Sequence, residues 1–134
     1  MPAIVYNTSR WPLTIVTFTG DRTEAEFDGY LRRMSEYVAR EETFATVVDT
    51  TRSGGMPATQ RRKQAEWMRE NEGALRRHSA GTAFVIRSAV VRGVLTAILW
   101  MHPIAQEYVV VATQAEGVRW AREQLRKRGV TVAA

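Results

Sequence analysis

The sequence predicts an α/β fold with a mixed, largely parallel sheet, and three observations carry that expectation. Short β-branched and apolar runs alternate with longer segments whose apolar positions recur at steps of three and four. Two of the short runs stand side by side near the N-terminus, separated only by Ser9-Arg10-Trp11-Pro12, as in a hairpin. Each later run lies behind a helical segment, which requires crossover connections and therefore parallel pairing. The predicted order is β-β-α-β-α-β-α-β-α, with about four helices.

The elements follow in order. Residues 4–8 and 13–19 are the hairpin strands, and Gly20-Asp21 closes the second. Thr23 and Glu26 stand at capping-box spacing, and Phe27, Tyr30, Leu31, Met34 and Val38 then mark one apolar stripe, so a helix is expected over 23–41. Residues 44–49, Phe-Ala-Thr-Val-Val-Asp, suit a central strand covered on both faces. Ser53-Gly54-Gly55 is a loop, and Pro57 suits the first turn of a helix over about 58–78, with Ala65, Met68 and Leu75 inward. A strand at 82–86 and a helix at 90–101 follow, the latter stopped by His102-Pro103 because proline disfavours helix in the residue before it. The last strand is 108–112. Thr113 and Glu116 repeat the capping spacing before a final helix that Gly129 terminates.

With 134 residues, 45% of them apolar and 25% charged, the chain is expected to be one domain, 1–134, with its own core and no internal linker. The absence of cysteine excludes disulfides, thiolate zinc sites and a cysteine nucleophile. Together with an N-terminus that shows no secretory pattern, it makes a cytoplasmic location the expectation. No apolar stretch is long enough to span a bilayer.

Net charge is +5, divided as −3 over residues 1–50 and +8 over 51–134. The basic residues are interleaved with Glu66, Glu70, Glu72, Glu116 and Glu123 at helical spacings, which suits a solvated helix face more than a nucleic-acid stripe. His78 and His102 have no acidic or histidine neighbour in a ligand pattern, so neither a metal nor another cofactor is expected.

Two segments are candidates for function. In open α/β sheets, partners and ligands meet the carboxyl ends of strands, which points to the loop Asp49-Thr50-Thr51-Arg52-Ser53-Gly54-Gly55. Thr50, Thr51 and Ser53 are candidate phosphoacceptors beside Arg52; equally, they suit a turn that holds the chain geometry. Asp49 lacks a second acid or an adjacent histidine, so no catalytic residue is assigned and the chain is read as not an enzyme. The second segment is the helix at 90–101, in which only Arg92, Gly93 and Thr96 interrupt an apolar surface. Its stripe is Val91, Val94, Leu95, Ile98 and Met101, leaving Val90, Ala97 and Trp100 partly outside. Such a helix calls for cover on more than one side: a subunit contact, a partner surface or a pocket. Arg92, Leu99, Trp100 and His102 are the residues expected to meet what covers it.

The strand end Val47-Val48-Asp49-Thr50, the helix at 90–100 and the segment Val111-Ala112-Thr113-Gln114-Ala115-Glu116 before a tryptophan-bearing helix resemble the SpoIIAA-like fold of STAS domains and STAS/SEC14-related proteins. The resemblance spans nearly the whole chain. It implies a non-catalytic regulatory or scaffold domain acting by protein–protein interaction in bacterial-type signalling, homo-oligomerisation included. Its SEC14 side implies instead a carrier or sensor of an apolar small molecule held beneath the helix at 90–101. In the antagonists of this fold a serine at the start of the helix after the central strand is phosphorylated. Here the hydroxyls directly follow Asp49, and Ser53 stands alone before the glycines.

Overall fold

The computed structural model describes residues 3–132. Strands β1 (Ile4–Arg10) and β2 (Leu13–Phe18) pair antiparallel from Ile4↔Phe18 to Asn7↔Ile15, with an irregularity before Arg10. Strands β3 (Phe44–Asp49), β4 (Ser79–Val85) and β5 (Tyr108–Val111) add in parallel, giving the order β1-β2-β3-β4-β5. The hairpin thus forms the antiparallel edge, as expected. Strand β3 lies at the centre and all six of its residues are buried, which is why it reads as a continuous apolar run.

The helices are α1 (Glu24–Ala39), α2 (Ala58–Glu70), α3 (Glu72–His78), α4 (Ala89–Met101) and α5 (Gln114–Lys127). The single helix expected over 58–78 is therefore two, and the count among the described residues is five. Asn71 divides them: its backbone N–H and its side-chain Nδ2 both donate to the Trp67 carbonyl, at 3.0 and 2.9 Å. A short amide side chain competing for helix carbonyls favours a break of this kind. Because of it, Arg61 and Arg76 do not belong to one continuous helix face.

The expected caps are present. Glu26 N donates to Thr23 Oγ1 at 3.1 Å while Thr23 N donates to Glu26 Oε1 at 2.8 Å, a full capping box. Thr113 accepts from Glu116 N at 3.2 Å at the start of α5. Gly129, with φ +80°, then turns the chain so that Val130 N reaches the Leu125 carbonyl.

The two faces of the sheet are packed differently. On one, α5 lies close against small side chains: Ala45, Ala80, Ala83 and Ala121 surround Leu13, Val47, Val85 and Leu125. A Cβ on Gly117 would stand 3.1 Å from Val47 Cγ1, and one on Gly81 2.6 Å from the Trp120 ring, so both glycines admit a close approach that a side chain would block. On the other face α1 packs Phe27, Tyr30, Met34 and Tyr37 onto Val16, Phe18, Phe44 and Val48. Helices α2 and α4 cover the rest of that face by packing on one another through Ala65, Met68 and Ile98. Between them and the sheet the packing is incomplete.

Candidate functional site

The residue pattern of the central strands builds the site. Alternation along β3 sends Ala45 and Val47 toward α5, and Phe44, Thr46 and Val48 toward the opposite face, where Thr82 and Phe84 of β4 join them. Above this floor, α1 supplies Tyr30 and Met34, α2 supplies Trp67 and Met68, and α4 supplies Val91, Val94, Leu95 and Ile98. They line a mainly apolar, partly open cavity of about 130 Å³. Voids of that size are uncommon in interiors that otherwise pack like organic crystals.

Helix α4 is the cover. Four of the five residues of its predicted stripe line the cavity, while Met101 is 38% exposed and lies outside it. Only Val91 and Ile98 are fully buried. Ser88 caps the helix by accepting from Val90 N and Val91 N, at 3.2 and 3.4 Å. The apolar surplus seen in the sequence therefore divides: one side roofs the cavity, and on the other Val90 is 63% and Trp100 86% exposed.

The loop after β3 also divides. Thr50 and Ser53 line the cavity, whereas Thr51 and Arg52 are exposed. Thr50 is strapped to the end of β4, its N–H and its Oγ1 donating to the Val85 carbonyl at 3.0 and 2.7 Å. Asp49 accepts from Thr51 N (2.9 Å) and Thr51 Oγ1 (2.7 Å) on one oxygen, and from Gln114 Nε2 (3.1 Å) on the other. That arrangement is an Asx turn which also ties the loop to the start of α5. Ser53 Oγ donates to the Gly55 carbonyl at a long 3.4 Å.

The remaining candidates lie away from this loop. Arg92 and Trp100 are on the outer side of α4, and Leu99 is half-buried in the contact with α2. His102 Nε2 is 3.9 Å from Glu72 Oε2, between the end of α4 and the start of α3. The nine predicted residues thus form an inner set at the cavity and an outer set on α4 and the loop surface, not one cluster.

Among the polar cavity residues that escaped the sequence reading are Arg22, Ser79 and Gln106. Arg22, only 9% exposed, lines one end; its Nε donates to Gln60 Oε1 (3.0 Å), Nη1 to the Gly20 carbonyl (3.2 Å) and Nη2 to the Gly55 carbonyl (2.7 Å). Its guanidinium also lies over the Phe18 ring. Burial lowers its proton affinity from the usual arginine value, with Asp21 opposing. Ser79 and Gln106 line the cavity near the start of β4. No motif marks them; each matters through neighbours distant in sequence. Burial pushes the Tyr30 phenol above the ordinary tyrosine range, as expected for a cavity wall remote from water.

Asp49 is the one buried carboxylate among the described residues, and both its oxygens are engaged. No group of three or more metal-ligating side chains occurs among the described residues, and none of their helices is long and apolar enough to cross a membrane.

No family model and no curated protein matches the chain. Among solved structures, an uncharacterized protein from the DUF3478 family with a SpoIIAA-like fold, from Shewanella loihica PV-4, is similar with a TM-score of 0.63 at 12% identity. The likeness covers 89% of this chain and 92% of that one. At that identity it speaks for architecture alone. The hairpin-edged sheet and its helices accordingly form a SpoIIAA/STAS-like fold.

Proposed function

We propose that the chain is a non-catalytic binding domain that holds a small apolar molecule between its sheet and α4, as a carrier or a sensor. The 130 Å³ cavity is the observation that carries this reading. An apolar cavity of ~150 Å³ is large enough for benzene, which sets the scale of the occupant. A helix with only two fully buried residues suits a cover that admits and releases it. Native mass spectrometry of protein purified from its own cells tests the reading: a retained small molecule is expected as added mass. A chain that is bare, and whose unfolding temperature benzene does not raise, overturns it.

A second reading draws on Trp100, which is 86% exposed beside the half-buried Leu99. In it the outer face of α4, with Arg92, His102 and the exposed loop residues Thr51 and Arg52, docks a protein partner or a second copy in a regulatory role, and a loop hydroxyl takes a phosphoryl group. Aromatic anchors dominate binding energy where they are used. Light scattering on the wild type and on the Leu99→Ala/Trp100→Ala double variant checks it. Association that survives the double substitution in a folded protein removes this surface from consideration.

A further inference from the structure

Arg22 is the one charged side chain on the cavity wall among the described residues, and it is buried without an ion pair to any carboxylate among them. Its acceptors are neutral: the Gly20 and Gly55 carbonyls and the Gln60 amide oxygen. Asp21 is exposed and Glu26 is held in the capping box with Thr23, so both act on the guanidinium only from a distance. Asp49 is taken up by Thr51 and Gln114. A guanidinium carries five N–H donors, and these bonds use the one on Nε and one on each Nη, leaving a second hydrogen on each Nη. Beside it stands a weakly held hydroxyl: Ser53 Oγ converges on the same Gly55 oxygen as Arg22 Nη2, at 3.4 Å against 2.7 Å, and Ser53 also lines the cavity.

A buried charge is costly unless a counter-charge and hydrogen bonds compensate it. Here the hydrogen bonds are present and the counter-charge is not. Resting on the cavity as a ligand site, we infer that its occupant is an acid with an apolar body, whose single carboxylate pairs with the free Nη hydrogens of Arg22 and with Ser53 Oγ–H. The body then lies against the sheet floor and α4. The planar guanidinium suits a carboxylate, which takes two parallel N–H bonds at once. A doubly charged phosphate does not match: one guanidinium balances one charge, and the second would face the Gly20 and Gly55 carbonyl oxygens. An amine would set like charges together. The surroundings favour an anion further. Gln60 lies in the first turn of α2, a Cβ on Gly55 would stand 3.8 Å from Val90 Cγ1 at the start of α4, and neither helix has an acidic residue in its first turn to offset its dipole.

Titration of the intact protein at neutral pH with benzoate, benzyl alcohol and benzene, followed by calorimetry or ligand-observed NMR, separates the possibilities. Benzoate is expected to bind about tenfold or more tightly than benzyl alcohol, the worth of hydrogen bonds to a charged group. In ¹⁵N-resolved spectra of the wild type, the Arg22 Nε–H signal is expected to move with benzoate and not with benzene. Arg22→Gln is expected to remove the preference for benzoate over benzyl alcohol, with circular dichroism as the check on folding. Should that variant not fold, the wild-type Arg22 signal decides. Benzyl alcohol or benzene binding as well as benzoate, or benzoate leaving the Arg22 signal in place, overturns the acid assignment and leaves the cavity as a binding site. Failure of all three probes to bind overturns both readings.

Discussion

Ile98→Ala tests whether α4 sits where the cavity requires. Ile98 is 5% exposed and packs with Ala65 and Met68 of α2 while lining the cavity. The substitution removes three carbons, a transfer loss of about 2.4 kcal/mol at ~0.8 kcal/mol per carbon. Enlarging a space that neighbours fill only in part adds up to about 2 kcal/mol. A total loss of about 2.5–4.5 kcal/mol is expected. With a urea dependence of about 2 kcal/mol per molar, the unfolding midpoint falls by about 1.2–2.2 M with an unchanged slope. Equilibrium urea unfolding followed by far-UV circular dichroism measures it. A fall of less than about 0.4 M would refute the reasoning, because it would mean that Ile98 is not buried and that α4 does not close the cavity in solution. The enlarged cavity should also accept a longer ligand than the wild type does, which a thermal-shift series of n-alkylbenzenes would show.

Three further outcomes follow from the geometry. Arg22→Leu leaves two carbonyls and the Gln60 amide oxygen without their donor, and is expected to cost about 2–4 kcal/mol in the same urea assay. Thr23→Ala removes the capping box of α1 and should cost about 1 kcal/mol, read as a lower unfolding midpoint. The Tyr30 proton is held more tightly in the folded chain than at the ordinary value of 10.0, so the folded state binds more protons above that pH. Stability from this source is complete below pH 10 and is lost as pH rises beyond it. The midpoint should fall between pH 8 and pH 11, and fall less in Tyr30→Phe.

The fold was largely legible because its signals are local. Capping pairs at Thr23/Glu26 and Thr113/Glu116, the apolar run of β3 and the stop at Gly129 each act within a few residues, and each appears in the structure where the pattern put it. The break at Asn71 was not legible. That residue keeps a ψ of 13° and the apolar positions continue past it, so periodicity alone reads through. The start of β4 at Ser79 was masked for a related reason, since Ser-Ala-Gly carries no strand preference and is held by pairing with β3. The site was half legible. The unusual apolarity of 90–101 correctly signalled that something must lie against the helix, but a cavity is a joint property of five or more elements. Nothing in the order of residues shows that Thr50 turns inward while Thr51 turns out, or that Gln106 reaches Thr82.

The unequal packing of the two sheet faces makes the sheet a partition between a foundation and a chamber. On the α5 side, alanines and glycines bring helix and strands into close contact, and Gly81 beneath Trp120 allows almost no play. On the α4 side, the same strands floor a space that can be re-lined at Thr46, Val48, Thr82 or Phe84 without disturbing the opposite face, since successive residues of one strand point to opposite faces. A chain built this way can change what it holds and keep what holds it up.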